Sequence, residues 1–141
     1  MESFAILSPV NNIIYMDKQI INTSNAPAPI GPYSQAIKAG GLLFISGQIA
    51  LNPLTSELVT ATIAEETEQV MNNLKGILES AGLGFSNVVK TTIFLSDMEL
   101  FASVNEVYGK FFDADYPARE TIAVKGLPKN VNVEISMIAS E

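Results

Sequence analysis

Two stretches of this chain repeat apolar residues at helical spacing, and short β-rich runs surround both. That order narrows the fold more than any other feature. The first stretch opens with Thr62-Ile63-Ala64-Glu65, a capping-box pattern. Val70, Leu74, Ile77, Leu78 and Ala81 then continue at 3.6-residue spacing, and Gly82 is a natural stop. The second begins after Asp97, a helix-capping residue type, and puts Phe101, Val104, Tyr108 and Phe111 on one face. Upstream, 20–22 reads as a short edge strand. Residues 33–39 and 42–46 read as strands around the turn signal Gly40-Gly41, and Gly47-Gln48 breaks the second. Three prolines fix the loop 25–32, and Asn52-Pro53 marks a turn. Between the helices, 87–96 is rich in Val, Ile and Thr. After a loop at 113–118, 120–124 and 131–137 are expected to close the chain as a hairpin across residues 126–130.

The resulting order is β-β-β-α-β-α-β-β. The strands that come after each helix can lie parallel through a crossover, while the flanking strands form hairpins. The expected fold is an α+β two-layer sandwich, a mixed β-sheet with two helices on one face. The other face also needs cover, and a second subunit is the obvious source.

Composition points the same way. The chain has 141 residues, the length of one domain. It is 48% hydrophobic, with mean hydropathy +0.27. Only 16% of residues are charged, against about 25% in average soluble domains, so an oligomer is expected. The net charge is −7 and the lysines at 18, 38, 75, 90, 110, 125 and 129 are scattered, which argues against nucleic acid as a partner. No apolar run approaches the ~20 residues that span a bilayer, so no membrane partner is expected. The absence of cysteine fits a reducing cytosol, and no secretory signal opens the chain, so a cytoplasmic location is expected. Residues 1–15 differ in character from the rest of the chain, and Met16 reads like a natural start. The expected division is an N-terminal extension, 1–15, and a single domain, 16–141.

The chemistry is bounded by what is missing. With no histidine and no cysteine, the chain has no imidazole base, no thiol nucleophile and no His/Cys metal site. One arginine, Arg119, stands among seven lysines, where a loop enters a strand. A lone arginine is commonly a surface charge or a structural ion pair. Its planar fork also suits a carboxylate, and a chain that uses lysine elsewhere has reason to keep it for that. If the last hairpin pairs Thr121 with Glu134, then Arg119, Thr121 and Glu134 share one face; a one-residue slip reverses this. Glu134 reads either as an ion-pair partner or as a carboxylate that orients water. Thr121 reads as a β-former, Tyr33 as a half-buried core aromatic, and Ser46-Gly47 as a strand end, each with a site role as the alternative. No phosphate loop or dinucleotide fingerprint is present.

Several blocks carry a resemblance to a known family. They include Asn25-Ala26-Pro27-Ala28-Pro29-Ile30-Gly31-Pro32-Tyr33-Ser34-Gln35, Phe44-Ile45-Ser46-Gly47-Gln48-Ile49 and Val89-Lys90-Thr91-Thr92-Ile93-Phe94-Leu95. Pro117-Ala118-Arg119 and Val133-Glu134-Ile135 complete them. Over about residues 16–141 the chain resembles the Rid family, the RidA/YjgF-type reactive-intermediate deaminases, some once labelled translation inhibitors or endoribonucleases. The resemblance implies a homotrimer with a central barrel-like core, helices outside and ligand clefts between subunits. It implies hydrolysis of enamine/imine acids such as 2-aminoacrylate to 2-oxo acids and ammonium, a form of metabolite damage control. Arg119 would grip the substrate carboxylate, Tyr33 and Ser46 would line or support the cleft, and Glu134 would help position water. Asn105 and Gly47 would shape the cleft, and no metal or organic cofactor is required. Family members often carry cysteine where this chain has Thr121. A regulatory module that binds small carboxylates and acts on a partner protein would use the same residues. RNA cleavage is disfavoured by the acidic charge and the absence of histidine.

Overall fold

A computed structural model describes residues 17–141. The expected N-terminal extension lies outside the described residues. Six strands, β1 (Gln19–Ile21), β2 (Ala36–Ala39), β3 (Leu42–Gln48), β4 (Val88–Leu95), β5 (Ala118–Ala123) and β6 (Val133–Ser140), form one sheet. Their order is β1-β2-β3-β6-β4-β5. Only β4 and β5 run parallel, so the sheet is mixed as expected.

The helix α1 (Ile63–Ser80) begins where the capping box places it, with Thr62 Oγ1 accepting from the N–H of Glu65 at 3.1 Å. Its buried stripe of Val70, Met71, Leu74, Ile77 and Leu78 is completely closed to solvent. Gly82, at φ +75°, ends the run in the left-handed region that glycine enters at little cost. The helix α2 (Phe101–Gly109) is entered through a 3-10 turn, Met98–Leu100, and Asp97 caps that turn by accepting from Glu99 N–H at 2.8 Å. Val104 and Tyr108 are buried from the expected face; Phe111 packs against the core only partly buried, and Phe112 beside it is buried. The helix stops at Gly109, so 3.6-residue spacing no longer applies there.

Both helices cover the same sheet face. Along β6, Val133, Ile135, Met137 and Ala139 are buried beneath them, while Glu134, Ser136, Ile138 and Ser140 alternate to the other side. On that other face Ile20, Phe44 and Ile122 are exposed, and Lys90 pairs with Glu120 at 2.8 Å. No helix among the described residues is long and apolar enough to cross a membrane.

Three expectations need correction. The last two strands do not form a hairpin, because β4 lies between them: β5 pairs with it in parallel and β6 antiparallel. The link between them, residues 124–132, hooks over the end of β4. Val124 N–H donates to the Leu95 carbonyl and Ser96 N–H to the Asn132 carbonyl, both at 2.9 Å. The α2 crossover had already committed β5 to the parallel edge. The second strand starts at Ala36, because Tyr33 is folded back in a tight turn, its N–H donating to the Gly31 carbonyl at 2.8 Å. Finally, β3 runs on to Gln48; Ser46 and Gly47 sit in a bulge within it rather than ending it.

Candidate active site

The β3 bulge forms one wall of a cavity of about 340 Å³, which Tyr33, Ser46, Gly47, Pro128 and Glu134 line among others. Glu134 reaches it from β6. The missing side chain of Gly47 makes room: a Cβ there would lie 2.9 Å from Cδ of Glu134 and closer still to Oε1. Burial holds the Glu134 carboxyl above its ordinary pKa. Among the described residues no cation pairs with it and no side-chain or backbone donor reaches it. Ser46 donates its hydroxyl proton to the Ser34 carbonyl at 2.6 Å, so it ties the bulge to the loop that carries Tyr33. The Tyr33 hydroxyl accepts from Ile30 N–H at 3.2 Å and stays half exposed.

A second depression lies at the far edge of the sheet, lined by Asn105, Tyr108, Tyr116, Pro117 and Arg119. The Arg119 guanidinium carbon sits 5.0 Å from the Tyr108 ring centroid and 5.7 Å from that of Phe101. These rings hold the fork by cation–π attraction without neutralising it. Arg119 makes no ion pair among the described residues. Tyr108 donates to Thr91 Oγ1 at 3.1 Å. Its pKa is raised by burial, against the opposing pull of the Thr91 bond and Arg119, so it remains neutral at ordinary pH. Thr121 is on the same side of β5, and its buried hydroxyl oxygen has no hydrogen-bond partner.

The expected residues therefore fall into two sets. Arg119 pairs with Thr91 and Thr121 with Ile93, whose side chains are buried on the helix-covered face. Glu134 pairs with Phe94, in the row of the exposed Ile122, on the opposite face. The shared face of Arg119, Thr121 and Glu134 does not occur, because β4 intervenes and shifts the row. Glu120 does point away from Arg119, towards Lys90 and Thr92. Helical spacing assigns Phe101 and Tyr108 to the core; their seven-residue separation on α2 also describes a stacking platform for the guanidinium.

This fold and these two depressions define a small α+β protein in which, among the described residues, a guanidinium makes no ion pair and a half-buried carboxylate has no partner. The pattern of the family described as Endoribonuclease L-PSP matches residues 23–141, and the chain belongs to that family, whose members include the Rid proteins. A RutC family protein of Pyrococcus horikoshii is 52% identical over 122 residues, covering 86% of this chain and 97% of the relative. A 2-iminobutanoate/2-iminopropanoate deaminase of Dermatophagoides farinae is 46% identical over 86% of this chain and 94% of its own. The structure of YyfA, a Rid family protein of Yersinia pestis, superposes with a TM-score of 0.86 at 45% identity, covering 88% of this chain and 99% of that one. That of E. coli TdcF with bound serine gives 0.84 at 41% identity, covering 87% and 98%.

Proposed function

We propose that this protein hydrolyses reactive enamine/imine acids, of the 2-aminoacrylate/2-iminopropanoate kind, to 2-oxo acids and ammonium, in sites built between copies of the chain. The observation that carries the reading is the division of charge. Arg119 is a cation without a partner on one sheet face, and Glu134 a carboxylate without a partner on the other, among the described residues. Each half lacks what the other supplies, and a homotrimer that buries the exposed sheet face brings them together. The deaminase name of the Dermatophagoides relative and the serine bound to TdcF favour a small amino-acid-derived ligand.

The chemistry asks little of the protein. The Arg119 fork binds the substrate carboxylate through two charge-assisted hydrogen bonds. The partner subunit's Glu134 accepts a proton from water as the water oxygen bonds to the imine carbon and the C=N electron pair moves to nitrogen. Glu134 then returns that proton to the carbinolamine nitrogen, ammonia leaves as the hydroxyl oxygen forms the 2-oxo C=O bond, and the proton lost from that hydroxyl makes it ammonium. Starting from the protonated imine and one water, the products are the 2-oxo acid and ammonium. Tyr33 closes the cavity over the substrate, Thr121 offers its free hydroxyl, and Asn105, Ser46 and Gly47 shape the cleft. Orientation and a fixed electrostatic environment supply the acceleration without a cofactor.

Mixing two inactive variants tests this. Arg119→Ala and Glu134→Gln each remove one half-site, and each should lose turnover. After subunit exchange, an interface in which the Gln variant supplies Arg119 and the Ala variant supplies Glu134 is whole. Random mixing of equal amounts restores about one quarter of wild-type activity, since each site needs the right copy on both sides. A mixture as inactive as its components would sink the shared site. Wild type that turns over no imino acid would sink the enzyme.

A further inference from the structure

Three buried polar side chains fasten the cavity walls to the fold. Gln35 grips the loop that holds Pro27, donating from Nε2 to the carbonyls of Thr23, Ala26 and Pro27. Asn73 grips the segment after β3, donating to the carbonyls of Ile49 and Leu51. The third, Glu66, is in the first turn of α1 and only 1% exposed. Its Oε1 accepts from two successive backbone N–H groups, Asn132 at 2.6 Å and Val133 at 3.0 Å. Its Oε2 accepts from Asn132 Nδ2 at 3.0 Å. No cation pairs with it among the described residues. A carboxylate buried this way is costly unless donors and the positive end of a helix compensate it, and here both do. Next in the chain after the two gripped amides is Glu134.

We propose that Glu66 is a positioning residue: by holding the amides of Asn132 and Val133 at the entrance of β6, it fixes where Glu134 stands over Gly47. This deepens the imine-hydrolysis reading and rests on it. The hold is geometric, because one oxygen, Oε1, receives both backbone donors. A Gln side chain can place its oxygen there. Its amide nitrogen would then face Asn132, whose own amide turns over so that Oδ1 accepts from it. Asn132 Nδ2 then donates to Ser96 Oγ, which in this structure donates to Asn132 Oδ1 at 2.9 Å. An Asp side chain keeps the charge but is shorter by one carbon–carbon bond, about 1.5 Å, and cannot reach both N–H groups.

The pair Glu66→Gln and Glu66→Asp therefore separates geometry from charge. Two readouts are used: kcat and KM for imino-acid hydrolysis, and titration of the Glu134 carboxyl by 13C NMR, which needs no turnover. Tyr33 is the other titratable side chain lining that cavity within one copy, and in the proposed assembly the partner subunit's Arg119 faces it as well; both are unchanged in these variants. The Gln variant should stay within about twofold of wild type in kcat and leave the Glu134 titration in place. The Asp variant should lose about tenfold or more in kcat with KM little changed, because Arg119 still binds the carboxylate. Its Glu134, displaced from its place over Gly47, should titrate at a different pH from wild type. An Asp variant equal to wild type in both readouts overturns the proposal, as does a Gln variant that falls as far as Asp. If the Asp variant does not fold, the Gln variant decides alone: wild-type behaviour in both readouts supports the geometric hold, and loss of either overturns it. If wild type proves inactive on imino acids, the enzyme reading fails, and the Glu134 titrations still decide the positioning role.

Discussion

Glu134 stands half out of water beside Gly47, with neither cation nor donor reaching it among the described residues, and burial alone raises its pKa. Burial makes the charged form of such a group costlier in the folded state than in the unfolded one. Stability that depends on it is fully present below the unfolded carboxylate pKa and is lost as pH rises through the higher folded value. Glu134→Gln should therefore be more stable than wild type above that value, with the difference vanishing in acid; urea unfolding across pH 4–8 checks it. Activity has the opposite dependence, since the charged form accepts the proton. The acid limb of kcat/KM should follow the Glu134 titration, which burial raises and the partner subunit's Arg119 opposes in the proposed site; an acid limb that does not coincide with that titration would rule out Glu134 as the base. Gly47→Ala drives a methyl into the same carboxylate. Its expected result is a loss of about tenfold or more in kcat, by displacement of a reacting group, with the fold retained by circular dichroism. Arg119 is legible in the sequence as the one arginine; Glu134 is reached only through the family resemblance and a shared face that the fold does not make. The stacking of Arg119 on Phe101 and Tyr108 is not legible, because a helix face of aromatics reads as core.

At the level of elements, the capping box, the α1 stripe and the Gly40-Gly41 turn are readable because each depends on a few adjacent residues. The turn glycines have φ values of 59° and 76°, as a two-residue hairpin of this kind requires. The final pairing is not readable. Nearness in sequence suggests a hairpin for β5 and β6, whereas the α2 crossover places β4 between them. The β3 bulge is hidden for a similar reason: Gly47 looks like a strand end until β6 is known to run beside it with the Glu134 side chain reaching over it. Asn73 shows how far an element's role can lie from its own helix, since its side chain anchors the segment after β3. Asn73→Ala leaves two carbonyls without that donor and should cost about 1–3 kcal/mol in urea unfolding.

Across the molecule, one sheet face is closed by helices and the other carries exposed Ile20, Phe44 and Ile122 beside the Lys90–Glu120 pair. In the proposed trimer this is the face that disappears. Ile122→Asp should lower the mass measured by light scattering and abolish turnover together, since a charge buried without a partner opposes association. A variant that keeps both mass and activity would place the interface elsewhere.

Local sequence was enough for the helices, most of the strands, the α+β class and the short set of groups that chemistry could use. Those depend on periodicity, caps and composition, which act over a few residues. That Arg119 and Glu134 stand on opposite faces of the sheet emerged from the assembled fold alone. Strand order and row depend on pairings between residues far apart in the chain, and inserting one strand between two others changes which side chains are neighbours without changing a single local preference.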